Sequence, residues 1–408
     1  MWLWLVIVTC SACGGNTSFQ NSNILGLWKM ELAADDDSTS IPFFIEFIEI
    51  DSVLKAAIWN GEEQIIHESI QFKQDSLWIE SPFFNSTLVI GFNKNVAGGY
   101  WVDYSRESYR MPLIGKYNLS QRFRFQGPLE NTIDGKWQVT FSPNTEDAYS
   151  AIGLFETDDN SMKGTFITET GDYRFLEGGF ATSQLKLSTF DGSHAFLFEA
   201  DLLNDTLRGQ FYSGKHWNEP FIAWRNKNPV LTDPYQMTTL VDQSKPISFA
   251  FKDMEGNLVT SEDSVYHEKP MLVQIIGSWC PNCMDELAFL VQNQTAIKEL
   301  GIEIVGLSFE RLEYNEATGP LKKLKKNLGI EYPILYGGKA NKKDAAKEIP
   351  WIKDIKSYPT LLFVLPNKKV FKIHTGFYGP GTKEYYIQQS SELLDDMKQL
   401  SKLSNAIR

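Results

Sequence analysis

The stretch Met271-Leu272-Val273-Gln274-Ile275-Ile276-Gly277-Ser278-Trp279-Cys280-Pro281-Asn282-Cys283 decides the reading of this 408-residue chain. Its first six residues form a compact apolar run of buried-strand length, and Met284 to Leu300 continues at helical spacing. A strand, a short turn, Cys-x-x-Cys and a helix place the first cysteine at a helix N-terminus. There the free N–H groups and the macrodipole favour a thiolate, the species that attacks a disulfide. Cys283 lies one helical turn on, within reach to resolve a mixed disulfide. Pro281 sits in the first turn, where a missing N–H costs no hydrogen bond. A zinc half-site and a structural disulfide are the rival readings. Zinc needs four ligands, and His67, His194, His216, His267 and His374 are scattered, with no second cysteine pair in this part of the chain. No metal site is expected. A structural disulfide requires neither the preceding Trp nor the following helix, so a redox-active pair is the favoured reading.

Working towards the C-terminus, Ile302 to Ser308 reads as a second buried strand, Lys322 to Leu328 as a helix and Tyr332 to Tyr336 as a short strand. Thr360 to Leu365 and Val370 to His374 read as a hairpin, and Lys383 to Leu403 as a closing helix. Alternating strands and helices indicate an α/β sheet with some parallel pairing. Lys322, Lys323, Lys325 and Lys326 read as a solvated helix face.

Working towards the N-terminus, the pattern changes at about Pro234. The preceding two hundred residues alternate at period two, with turn residues every 8–12 positions, as in an antiparallel meander. This region repeats itself. Gly26-Leu27-Trp28 recurs as Gly135-Lys136-Trp137, Leu77-Trp78-Ile79 as Leu185-Lys186-Leu187, and Tyr109 to Ile114 as Trp217 to Ile222. About eight short strands per copy predict two tandem barrels, since closure removes sheet edges. Trp28 and Trp137 are expected as core plugs. The Gly-x-Trp opening resembles the lipocalin-like (calycin) barrels, which implies an architecture and no particular ligand.

Charge follows the same division. Residues 1–230 hold 17 Lys and Arg against 29 Asp and Glu, whereas residues 231–408 hold 22 of each. An acidic front and a neutral back exclude the basic footprint of a nucleic-acid binder. Four cysteines are too few to staple a protein of this length. At the start, Trp2 to Val8 is too short to span a bilayer. It precedes Ser11-Ala12-Cys13-Gly14, which resembles a bacterial lipobox. Cys13 is the expected lipid site, with Cys10 as the alternative.

Three blocks in order, Gly277 to Glu286, Ser357-Tyr358-Pro359-Thr360 and His374 to Thr382, resemble the TlpA-like thiol–disulfide reductases of the thioredoxin superfamily, in particular the Bacteroidota type. The resemblance covers about residues 245–405 and leaves the repeats outside. It implies Cys280 as the attacking thiolate and Cys283 as the resolving thiol. Pro359 would be a cis-proline facing the pair, with the Tyr358 main chain turned out to receive a substrate strand. Glu286 would accept the Cys283 proton. Trp279 and Pro281 would flank the substrate. The sequence departs from the family in its Pro281-Asn282 dipeptide, in Ala288 where many members have Pro, and in Gln274 where thioredoxin has Asp. No Thr-x-x-Cys of a peroxiredoxin occurs.

The expected molecule is multidomain. Residues 1–15 form a signal peptide with lipobox, 22–119 and 128–228 form antiparallel β-barrel repeats, and 240–408 form an α/β thioredoxin-like domain. The expected function is an exported, membrane-anchored thiol–disulfide oxidoreductase of the cell envelope or periplasm that reduces exported proteins with oxidised cysteines. A membrane thiol-electron donor would recharge it, and no cofactor is needed beyond the Cys280–Cys283 disulfide. The alternative is a binding lipoprotein whose barrels carry the function while the redox domain is accessory.

Overall fold

The computed structural model describes residues 24–34, 39–158 and 161–407. The leader and both N-terminal cysteines, with the lipidation they were expected to carry, lie outside the described residues.

The first repeat contains β1 (Gly26–Ala33), β2 (Ser40–Ile50), β3 (Val53–Asn60), β4 (Glu63–His67), β5 (Ile70–Lys73), β6 (Ser76–Glu80), β7 (Ser86–Asn93), β8 (Val96–Asp103) and β9 (Tyr109–Tyr117). Sequential strands pair antiparallel, and β1 also pairs with β9, so Trp28 faces Ile45 on one side and Tyr117 on the other. The sheet is open only between β4 and β5. The period-two pattern sets which face is buried. Along β9, Tyr109, Met111 and Leu113 are buried, while Arg110, Pro112 and Ile114 face out.

The second repeat contains β10 (Gly135–Phe141), β11 (Tyr149–Thr157), β12 (Met162–Thr168), β13 (Gly171–Asp172), β14 (Leu176–Ala181), β15 (Gln184–Phe190), β16 (Ala195–Leu203), β17 (Thr206–Ser213) and β18 (Trp217–Arg225). Here the ring closes through β12–β14 and β10–β18, and β13 hangs from β12 as a two-residue appendage. Gly164 helps it to close. A Cβ there would meet the Phe155 ring at 2.9 Å, whereas the matching residue of the first repeat is Ala56. Each copy thus has nine strands rather than eight, the extra one being the short piece before β5 or β14.

The repeats share detail as well as outline. Trp28 Nε1 donates to the Ile24 carbonyl at 2.8 Å and Trp137 Nε1 to the Ile133 carbonyl at 2.7 Å, four residues back in both cases. Gly26 and Gly135 have φ of 110° and 108°, a conformation that favours glycine. Rings fill the second barrel. Phe166 stacks on Phe198 at 4.4 Å, Phe198 on Phe211 at 4.5 Å, and Phe141 on Tyr149 at 5.0 Å. The barrels are also fused. Phe190 and Leu197 of the second barrel belong to the apolar core of the first. In the connection between them, buried Arg122 donates to the Trp59 carbonyl at 2.6 Å and to Glu177 at 2.9 Å.

The C-terminal unit contains β19 (Ala250–Lys252), β20 (Leu258–Thr260), β21 (Met271–Ile276), α1 (Pro281–Glu299), β22 (Glu303–Glu310), α2 (Tyr314–Leu328), β23 (Ile334–Lys339), α3 (Lys342–Glu348), β24 (Thr360–Val364), β25 (Val370–Thr375) and α4 (Glu384–Ile407). The sheet order is β20-β19-β23-β22-β21-β24-β25, with β21, β22 and β23 parallel and β24 antiparallel to both its neighbours. Every residue of β21 is buried, which explains an apolar run broken only by Gln274. Helix α2 starts eight residues before Lys322, where the helix was expected to begin, and runs through Pro320. The β19–β20 hairpin and α3 are too short and polar to carry a periodicity signal. Phe84, in the β6–β7 loop of the first barrel, is buried in the core of this unit.

Candidate active site

Cys280 is the N-cap of α1. Its sulfur accepts the Cys283 N–H at 3.2 Å, and its thiol donates to the Tyr358 carbonyl at 3.3 Å. The turn that places it is held from below. Ser278 donates to Glu310 through its N–H at 2.9 Å and its hydroxyl at 2.6 Å. Gly277 is needed at the strand end because a Cβ would meet the Phe309 carbonyl at 2.9 Å. Both cysteines are buried dithiols, with Cys280 only 5% exposed. Burial, followed by the neighbouring Cys280, pushes the Cys283 thiol well above its usual range.

Glu286, one turn beyond Cys283, is fully buried rather than on a solvated face. Its Oε2 accepts from Gln274 Nε2 at 2.5 Å, and its buried Oε1 has no hydrogen-bond partner. Burial raises its carboxyl to about 8, against a weaker opposing effect of Gln274. The residue that departs from thioredoxin's Asp is therefore the one that orients Glu286. Tyr332 completes the chain by donating to Gln274 Oε1 at 3.4 Å.

The Tyr358–Pro359 peptide is cis and faces the pair. The Tyr358 main chain, expected to receive a substrate strand, already makes bonds through its carbonyl. Its carbonyl accepts from both Cys280 and the Ser357 hydroxyl, and the Ser357 hydroxyl also donates to Thr170 of the second barrel at 3.1 Å. Trp279 packs edge-on to Tyr358 at 5.5 Å, with the Arg311 guanidinium 4.4 Å above its ring. The Pro281 carbonyl is bound by Arg174 at 3.3 Å.

The barrels thus supply residues that no local motif identifies. Arg174 bonds Asp285 at 2.6 Å and pairs with Glu63, with Asp191 3.7 Å away. Asp172 receives the Asn282 amide and the Gly379 N–H. Asp103 holds Arg106 at 3.0 Å and Arg311 at 3.6 Å, and Arg106 reaches His216 at 2.9 Å. Burial, then Arg106, lowers His216 to about 4. Apart from Asp103–Arg106 and Arg174–Asp191, these pairs are more than a hundred residues apart in sequence, so only folding brings them together.

Residues 242–373 match the model of the AhpC/TSA family. The thiol-disulfide oxidoreductase ResA of Halalkalibacterium halodurans is 23% identical over 148 residues, covering 36% of this chain and 74% of that protein. ResA of Bacillus subtilis is 22% identical over 129 residues, covering 32% of this chain and 64% of that protein. A solved structure of a putative thiol:disulfide interchange protein DsbE from Chlorobium tepidum is 22% identical, covers 38% of this chain and 95% of its own, and superposes with a TM-score of 0.29. The resemblance to TlpA-like reductases is borne out for the C-terminal part, and these matches stop short of most of the barrels. That part is a thioredoxin-like thiol–disulfide oxidoreductase domain.

Proposed function

We propose that the chain is an exported protein-disulfide reductase working through Cys280 and Cys283. The observation that carries this reading is Cys280 capping α1, with its sulfur on the Cys283 N–H and the resolving sulfur one turn away. The Cys280 thiolate attacks one sulfur of a substrate disulfide. The S–S bond breaks, a mixed disulfide forms, and the first substrate sulfur leaves as a thiolate. Glu286, as carboxylate, takes the Cys283 proton, and its raised affinity makes it a base suited to near-neutral pH. The Cys283 thiolate attacks Cys280 Sγ, releasing the second substrate thiolate and leaving the Cys280–Cys283 disulfide. The substrate gains two electrons. A membrane thiol-electron donor restores the dithiol.

Export and a lipid anchor at Cys13 are supported by the Trp2–Val8 run and the lipobox-like Ser11-Ala12-Cys13-Gly14. No helix among the described residues is long and apolar enough to cross a membrane. Oxidised exported proteins, including the haem-binding cysteine pairs of apocytochromes, are the proposed substrate class. The alternative, in which the barrels bind a ligand, has less support, because rings fill the second barrel. The test is reduction of a protein disulfide by the full chain supplied with reductant. Cys280→Ser should abolish it, and retained activity would defeat the mechanism. Lipid labelling lost in Cys13→Ser but not Cys10→Ser tests the anchor.

A further inference from the structure

We propose that the turn from Thr170 to Arg174 in the second barrel is a strap across the dithiol groove, which a protein substrate must displace before exchange. This rests on the reading of Cys280 as the attacking thiol. Exchange requires a substrate sulfur to approach Cys280 Sγ in line with the bond being broken, together with the chain that carries it. In this structure, Cys280 as a residue is buried.

The second barrel binds the residues that flank Cys280 in the chain and in the facing loops. The Trp279 carbonyl, just before the cysteine, accepts from the Ser193 hydroxyl at 2.9 Å. The Pro281 carbonyl, just after it, accepts from Arg174. The Asn282 amide donates to the Asp172 carbonyl at 3.3 Å and to its carboxylate at 3.2 Å. In the facing loop, the Ser357 hydroxyl donates to the Thr170 carbonyl. The Gly379 N–H donates to Asp172 at 2.5 Å. Gly376 lets the two main chains touch, since a Cβ there would lie 2.7 Å from the Thr170 carbonyl.

These contacts are those of an exchangeable ligand rather than a core. They are polar, and half of the bonds, those at Trp279, Pro281 and Gly379, end on main-chain groups of the redox domain that another extended chain could satisfy. The groups freed at Ser357, Asn282 and Gly379 are all donors. The displacing segment is therefore an extended strand that presents a carbonyl where Thr170 stands and a carboxylate where Asp172 stands. Arg174 holds the strap down, because it separates the carboxylates of Glu63, Asp191 and Asp285. Removing its charge leaves them facing one another.

The test compares full-length wild type, Arg174→Ala and Asp172→Asn, supplied with reductant. The probes are insulin, as a protein disulfide, and hydroxyethyl disulfide, which needs no bound strand. Release of the strap should speed insulin reduction about tenfold, the factor by which a one-in-ten open population slows the closed protein. Hydroxyethyl disulfide should change far less. Alkylation of Cys280 by a polymer-linked maleimide should accelerate in parallel. Asp172→Asn keeps the shape of the strap, so it decides the matter if Arg174→Ala does not fold. An unchanged or slower insulin rate in a folded variant overturns the strap. Reduction that persists in Cys280→Ser overturns instead the redox reading on which it rests.

Discussion

The Arg174 guanidinium lies 2.6 Å from the Asp285 carboxylate and ties the second barrel to the N-terminal part of the helix that Cys280 caps. Both side chains are nearly buried, so the pair is screened little by solvent. Breaking a buried pair from one side leaves an uncompensated charge and costs about 3–5 kcal/mol. Arg174→Ala should therefore lower the urea midpoint of the full chain clearly, whereas Lys398→Ala, which removes an exposed pair with Asp395, should leave it nearly unchanged. Equal midpoints for the two variants would contradict this assignment.

Buried acids give the fold a definite pH dependence. Asp285 is raised to about 7 and Glu286 to about 8, in both cases first by burial. Groups raised in this way hold protons in the folded state that the unfolded chain has lost, so stability falls as pH rises through those values. His67, His216 and His374 are lowered to about 4 by burial, which makes stability rise with pH only up to about 6.5. Urea midpoints should therefore decline between pH 7 and pH 9. Glu286→Gln should flatten that decline, and a rising midpoint across the window would refute the assignment.

Glu286→Gln should also slow the resolving step. General-base assistance is commonly worth about a hundredfold or more. The mixed disulfide at Cys280 should last longer, and the pH profile of its resolution should lose an ionisation near 8. A slower rate with the profile unchanged would point to packing rather than proton transfer.

Cys283→Ser should stop the reaction after the first step. A substrate-linked species joined through Cys280 should accumulate on non-reducing gels and disappear in the Cys280→Ser, Cys283→Ser double variant. Absence of the adduct would reverse the roles of the two sulfurs.

The second barrel should behave as a packed core. Phe166 stacks on Phe198 and meets Phe141, Phe155 and Phe221 edge-on. Phe166→Ala should cost about 3–5 kcal/mol through lost transfer energy and the cavity it leaves. Thermal melting reads this directly, and a loss below about 1 kcal/mol would imply space inside the barrel that the rings do not fill.

The parts of the fold legible in sequence are those whose signal is local or periodic. The Met271–Ile276 run reads as a central strand because all six residues are buried. The barrels read as such because alternation persists over many strands and recurs at a constant offset. Residues such as Gly26 and Gly135 keep their place in both copies because each occupies the same positive-φ turn. Helix α3 and the β19–β20 hairpin were not legible, since a seven-residue helix with five charged side chains and two three-residue strands carry no period. Asn341 caps α3 by accepting from the Lys343 and Asp344 N–H groups, a local signal that could have revealed it.

The sequence by itself determined the chemistry. The order of strand, Cys280-Pro281-Asn282-Cys283 and helix puts a sulfur at a helix N-terminus through bonds between near neighbours, whatever surrounds it. Only the tertiary structure decided who reaches that sulfur. Thr170, Asp172 and Arg174 stand more than a hundred residues from the groups they bind and belong to a differently patterned domain. Their place depends on how a closed sheet, a nearly closed one and an open one pack together, a property of shape and buried charge that no stretch of sequence carries alone.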